Sequence, residues 1–284
     1  MKKTLIALLA LLPALSLHAE PSGSAPRIVS AGAGITDLIL KLGSGNQLVA
    51  VDSTSRLPHE MKLPVVGYHR QLASEGLLSL KPTLLVGSDE MGPETTLQQL
   101  QQAGVHVERL SSRADVATLQ RNIETLGKLL DKTSAAGELQ QHVRNQVSSL
   151  QEGAKGLSKP PRLLYLMIHP GRPAMVAGGN TAASTLITLA GGENPAASLT
   201  NYQLLNLESL LAMKPDGLLV SQRSLQQDPQ LLEHALPQIV NHPDLQKLPL
   251  YPVSGQALIA GLNLGTLQAA QELQQQLLTA GQEH

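Results

Sequence analysis

Two eight-residue segments constrain this chain more than any other feature. "EGLLSLKP", Glu75 to Pro82, aligns without a gap to "ESLLAMKP", Glu208 to Pro215; the Glu, the paired Leu, the Lys and the Pro are identical, and an apolar run follows each. Upstream of them, "LILKLGSGN" lines up with "LITLAGGEN", matching Leu38 to Leu186, Ile39 to Ile187, Gly43 to Gly191 and Asn46 to Asn194. The order is the same in both halves, so the chain reads as two similar units in tandem.

Each unit alternates short apolar runs with amphipathic helices. In the first, "RIVSA", "LVAV", "TLLVG" and "VHVERL" read as strands, "ITDLILKLG" as a helix closed by Gly43, and "PETTLQQLQQAG" as a helix ending at Gly104. In the second, "RLLYLMI" and "GLLVS" are strands and "TAASTLITLAGG" and "LNLESLLAMKP" helices. Strands alternating with helices imply parallel sheets, hence an α/β protein of two Rossmann-like lobes. Between them, "SRAD" offers a cap through Ser112, with Asp115 three residues on. A longer helix then runs from about Thr133 to Leu157. Its apolar positions Leu139, Val143, Val147, Leu150, Ala154 and Leu157 form one stripe. Some 25 residues at 1.5 Å each reach roughly 35–40 Å, enough to join two lobes. The expected divisions are a leader at 1–19, a first lobe at 20–112, a helical connection at 113–157 and a second lobe at 158–284.

The amino terminus has the form of a secretory signal: Lys2 and Lys3, an apolar run from Thr4 to Leu17, and Ala19 at the cut. The run is shorter than the ~20 residues a membrane span needs. The chain has no cysteine, so neither a disulfide nor a lipidated Cys is available. An exported, unanchored protein is expected in the periplasm. Removing the leader moves the formal charge from −1 to −3, which gives no basic footprint for nucleic acid. A Walker A loop, a His-Glu-x-x-His helix and a Gly-x-Ser-x-Gly elbow are all missing from the sequence.

Rings are scarce: four Tyr, no Phe and no Trp. One of the four stands in "VGYHRQLASEG", within a stretch by which the first lobe exceeds the second. Gly43 to Glu75 spans 32 residues against 17 from Gly191 to Glu208. Here Tyr68 and Arg70 flank His69, which in an extended loop is expected to point away from the tyrosine ring. In the second lobe, "LLYLMIHPGRP" leaves His169 and Arg172 at the carboxyl end of a strand, the edge where open α/β sheets bind ligands.

Two lobes, one connecting helix and the paired Glu-x-Leu-Leu-x-x-Lys-Pro segments resemble the periplasmic binding proteins of ABC importers that have a helical interlobe backbone. The resemblance covers nearly all of the mature chain. It implies that Glu75 and Glu208 dock on an inner-membrane permease with its ATPase subunits, one glutamate per lobe. "GYHR" before "SEGLLSLKP" is similar to the haem-receptor branch, the HmuT/ShuT/PhuT type. This implies Tyr68 as axial ligand to ferric haem, with Arg70 supporting the phenolate or pairing with a propionate. Phenolate is a hard donor suited to ferric iron, and a free phenol, titrating near 10, must lose its proton to serve. For His169 three roles stay open: sixth ligand to the same iron, ligand to a second stacked haem, or hydrogen bonding to a propionate. Arg172 is a candidate propionate partner. Haem is thus expected as transported cargo, with no catalytic cofactor, no bond made or broken, and a monomeric receptor. The alternatives are a receptor of the same build for cobalamin or a ferric siderophore, and a periplasmic haem-handling chaperone or enzyme.

Overall fold

The computed structural model describes residues 25–169, 171–237, 242–243 and 245–280. The expected leader lies outside these residues, as does Pro170. Four strands, β1 (Ile28–Ala31), β2 (Leu48–Val51), β3 (Leu84–Ser88) and β4 (His106–Leu110), form the first sheet in the order β2-β1-β3-β4. All its pairings are parallel. β1 and β3 are buried along their whole length, which explains why they read as unbroken apolar runs rather than alternating ones. Helices α1 (Ala33–Lys41), α2 (Ser74–Ser79) and α3 (Glu94–Gln102) cover the sheet. α4 (Val116–Leu129) adds Leu119, Ile123 and Leu126 to the same core.

The cap of α4 corrects the expectation from Ser112. Asp115 is the capping residue, and its Oδ1 accepts from the Thr118 amide at 2.7 Å. The helix begins one residue later, at Val116, so a cap at Ser112 lies a full turn too early.

The second sheet has five strands in the order β7-β6-β5-β8-β9. β5 (Leu163–Met167), β8 (Gly217–Ser221) and β9 (Leu250–Val253) run parallel, whereas β6 (Met175–Ala177) and β7 (Tyr202–Leu204) join antiparallel. Among the described residues the antiparallel pair has no counterpart in the first sheet, and neither strand was expected from the sequence pattern. Helices α6 (Ala182–Leu189), α7 (Leu207–Met213), α8 (Gln222–Gln227), α9 (Leu231–Ala235) and α10 (Leu264–Ala280) complete the chain.

The connecting helix is α5 (Thr133–Ala154), 22 residues and so about 33 Å long. Its stripe serves two cores in turn. Val143 lies in the core of the first sheet and Leu150 in that of the second, both essentially inaccessible to solvent. Full burial of an aliphatic side chain contributes roughly 1.5–3 kcal/mol, so the helix is held strongly at both ends. α10 is shared in the same way. Leu267 enters the first core, while Ala270, Leu273 and Leu277 enter the second.

The repeat seen in the sequence is carried into three dimensions. Gly43 and Gly191 end α1 and α6 at positive φ, 73° and 92°, a region open to glycine at little cost. α2 and α7 also end alike, at Lys81 and Lys214. In both halves an arginine just before the first strand reaches under that helix end. Arg27 donates to the carbonyls of Leu80 (2.8 Å) and Lys81 (3.0 Å). Arg162 donates to those of Met213 (2.7 Å) and Lys214 (3.3 Å). The last carbonyls of a helix lack partners within it, and the guanidinium fork supplies them.

Candidate ligand-binding site

The loop that carries Tyr68 is an extension of the first sheet. The Val66 amide donates to Val51 at 2.9 Å and the Ser53 amide to Gly67 at 2.7 Å, with Val51 and Val65 bridged in parallel. Gly67 then takes φ +92°, turning the chain out of this pairing. A tight turn follows, closed by the Gln71 amide on the Tyr68 carbonyl at 2.7 Å. The Gly92 amide holds the His69 carbonyl at 2.9 Å.

Within this turn the three side chains part ways. Tyr68 is 41% exposed and His69 is fully buried. Arg70 is half exposed and forms an ion pair with Glu90 at 2.7 Å. His69 does not point away from the tyrosine as expected. The turn bends the loop, so the two rings lie 4.3 Å apart between centroids at a tilt of 54°.

Below them sits Asp52, at the end of β2 and fully buried. Its carboxylate accepts from Ser55 Oγ at 2.6 Å, Thr54 Oγ1 at 2.7 Å and His69 Nδ1 at 3.0 Å. Burial pushes this carboxyl up, but the hydrogen bonds from His69, Ser55 and Thr54 together outweigh it and hold Asp52 below the ordinary carboxylate range. An ionised carboxylate only accepts, so the proton of the contact belongs to Nδ1. The other ring nitrogen, Nε2, is buried with no hydrogen-bond partner in the protein. From Ser55 the network continues through Thr36 Oγ1 to Ser30 on β1, each step 2.7 Å.

Tyr68, His69 and Arg70 form one wall of a cavity of about 1190 Å3 between the two sheets. The second lobe supplies the opposite side. His169, exposed after β5, lines it, as do Tyr165 on β5, Tyr202 on β7 and Arg223 on α8. Three of the chain's four tyrosines therefore border this single cavity. Tyr165 and Tyr202 meet edge to face, with centroids 6.4 Å apart. Burial, and then the neighbouring Tyr202, push the Tyr165 hydroxyl well above its ordinary value. Tyr202 is pushed up to about 12, first by burial and then by the negative charge of Glu90, which belongs to the other lobe.

The residues singled out in the sequence separate here. Tyr68, Arg70 and His169 come together on the cavity. Arg172 does not; it is exposed on the turn where its amide donates to the His169 carbonyl, outside the lining. The cations that do line the cavity beside Arg70 are Arg56 and Arg223. Thr181 lines it too, as the cap of α6, accepting from the Ser184 amide at 3.2 Å. Glu75 and Glu208 stand away from the cavity, exposed in the first turns of α2 and α7.

Sequence reasoning missed Asp52, Arg56, Tyr165, Tyr202 and Arg223, none of which carries a local signature. It also missed Arg27 and Arg162. These had a signal, since extending the repeat upstream aligns "PRI" with "PRL".

Residues 28–250 match the family described as periplasmic binding protein. The chain belongs to that family. This binding protein is also similar to solved structures across almost its whole length. The periplasmic heme binding protein HutB of Vibrio cholerae is 44% identical, with 89% of this chain and 99% of that one covered and a TM-score of 0.83. The periplasmic heme-binding protein RhuT from Roseiflexus sp. RS-1, in its apo form, is 31% identical, with 91% and 100% covered and a TM-score of 0.83. Among curated proteins, the vitamin B12-binding protein of Vibrio campbellii is 24% identical over 73% of this chain and 74% of its own length.

Proposed function

We propose that this binding protein is a periplasmic haem receptor. It captures ferric haem in the cavity between the lobes and delivers it to an inner-membrane ABC permease with its ATPase subunits. The observation that carries the reading is the exposed phenol of Tyr68 on the wall of a 1190 Å3 cavity that also holds His169 and three arginines. Ligand pockets are usually ~300–1,000 Å3, so the space suits a large ligand. Among the described residues no group of three or more His, Cys, Asp or Glu is gathered to hold a metal ion. An iron bound by Tyr68 therefore brings most of its own donors, as a porphyrin does.

In this reading Tyr68 is the axial phenolate ligand and His169 a second donor from the other lobe. Arg70 turns from Glu90 to a propionate. A half-exposed ion pair contributes only ~0–1 kcal/mol, so Glu90 yields to a desolvated carboxylate that Arg70 can fork onto. Arg56 and Arg223 serve the same negative edge, and Arg172 acts only if its turn moves toward the cavity. The protein changes no bond in its cargo and is not an enzyme. Glu75 and Glu208 face the permease. Likeness to named haem binders at 44% and 31% identity, against 24% for a vitamin B12 binder, favours haem over cobalamin. Export follows from the leader at 1–19.

Mixing the purified protein with ferric haem should give a Soret band and a phenolate-to-iron charge-transfer band, and Tyr68→Phe should abolish the second. Equal spectra and affinity in that variant would refute the ligand assignment. A titration that breaks at one equivalent leaves His169 as sixth ligand to the same iron or as partner of its propionate; a break at two admits a second haem for it to hold.

A further inference from the structure

His69 and Asp52 take no part in the reading above, yet they form a fully buried polar pair beside the cavity. Both are completely shielded from solvent, and charged or polar groups are seldom buried without a use. The imidazole touches Tyr68 on one side, ring against ring at 4.3 Å, and Asp52 on the other through the 3.0 Å Nδ1 bond. Asp52 is fixed in turn by Thr54 and Ser55, and through Thr36 by Ser30 on the central strand β1. The backbone of His69 is held as well, since its carbonyl accepts from the Gly92 amide. An unbroken line of hydrogen bonds thus runs from the sheet to the ring that supports the tyrosine. Hydrogen bonding does not explain why this residue is an imidazole rather than an amide, for Nε2 makes none within the protein. The imidazole supplies what an amide could not, a ring in contact with the Tyr68 ring, centroids 4.3 Å apart at a tilt of 54°.

We infer that the Asp52–His69 pair is the positioning element for Tyr68, holding the phenol in one attitude over the cavity before any ligand arrives. The inference rests on Tyr68 being the iron ligand. His69 touches no iron; it acts through its neighbour. A half-exposed tyrosine in a loop would otherwise sample several rotamers, and binding would have to select one of them. Fixing it beforehand removes that cost from the binding step.

The test labels the full mature chain with 3,5-difluorotyrosine, whose fluorine resonances report each of the four tyrosines; Tyr68→Phe assigns the line of interest. In the unliganded protein the Tyr68 line should be single and narrow. Asp52→Ala should broaden or split it while the other three lines hold. In unlabelled protein the same variant should bind hemin about three- to tenfold more weakly, the cost of ordering one side chain on binding, with a heterogeneous charge-transfer band. His69→Asn keeps a donor toward Asp52 but removes the ring, and should disturb the Tyr68 line in the same way. If all four lines collapse in Asp52→Ala, His69→Asn decides alone. An unchanged Tyr68 line and an unchanged hemin band in the folded variants would overturn the inference. If Tyr68→Phe retains the charge-transfer band, the ligand assignment falls instead, and the fluorine result on the attitude of Tyr68 still stands.

Discussion

Lys81 and Lys214 hold the same left-handed backbone conformation, φ 47° and 44°, each immediately before a proline and each at the end of its lobe's exposed helix. Left-handed geometry costs a residue with a Cβ about 1–2 kcal/mol. Lys81→Gly and Lys214→Gly should therefore raise the unfolding free energy read from urea melts, by up to about 1 kcal/mol each once the extra freedom of glycine in the unfolded chain is subtracted. A loss of stability in both would show that the lysine side chains contribute contacts of their own.

The cap of α4 gives a second measurable effect. Asp115→Ala removes the acceptor of the Thr118 amide and should destabilise the protein by roughly 1 kcal/mol, whereas Ser112→Ala should change it little. Equal losses at the two positions would mean that the helix start depends on more than the Asp115 side chain.

Asp52 sets a pH dependence. Its folded-state value lies below the ordinary carboxylate value, so the unfolded chain binds its proton more readily. The stabilisation is complete above about pH 4, the ordinary value for Asp. It is lost as the pH falls through the lower folded value. Asp52→Asn should cost about 1–3 kcal/mol near neutrality and flatten this part of the acid limb in urea melts. An acid limb with wild-type slope would assign acid sensitivity to other groups.

Glu90 influences a tyrosine of the opposite lobe. Its charge is the second cause, after burial, that raises Tyr202 to about 12. Glu90→Gln should lower that value in an ultraviolet titration while leaving it above 10, the ordinary phenol value, because burial persists. The same change releases Arg70 from its 2.7 Å partner and should tighten hemin binding a few-fold. No movement in the tyrosine titration would separate the two lobes electrostatically.

Docking can be examined apart from capture. Reversing charge at Glu75 and Glu208 together should leave hemin titrations intact, since neither lines the cavity, and should impair stimulation of the transporter's ATPase. Undiminished stimulation would move the contact surface elsewhere.

Much of the fold was legible because buried parallel strands such as β1 and β3 are continuous apolar words and because the chain says things twice. The repeat at Glu75 and Glu208 announced two lobes, and the stripe through Val143 and Leu150 announced the helix between them. What was not legible depends on residues distant in the chain. β6 and β7 are three residues each, too short to show a period. Tyr165 looked like any core residue of a strand, and only the folded cavity sets it beside Tyr202 and across from Tyr68. Asp52 and His69 are 17 residues apart, and nothing local to either predicts the contact. Arg172 marks the same limit: placement near a strand end fixes the neighbourhood of a side chain but not whether it lines the cavity.

The sharing of α5 and α10 between both cores has a mechanical corollary. Two struts anchored at each end resist swivelling far more than a pair of strand crossovers would. Widening the space between the sheets means flexing both rods at once, because each helix is buried in both cores.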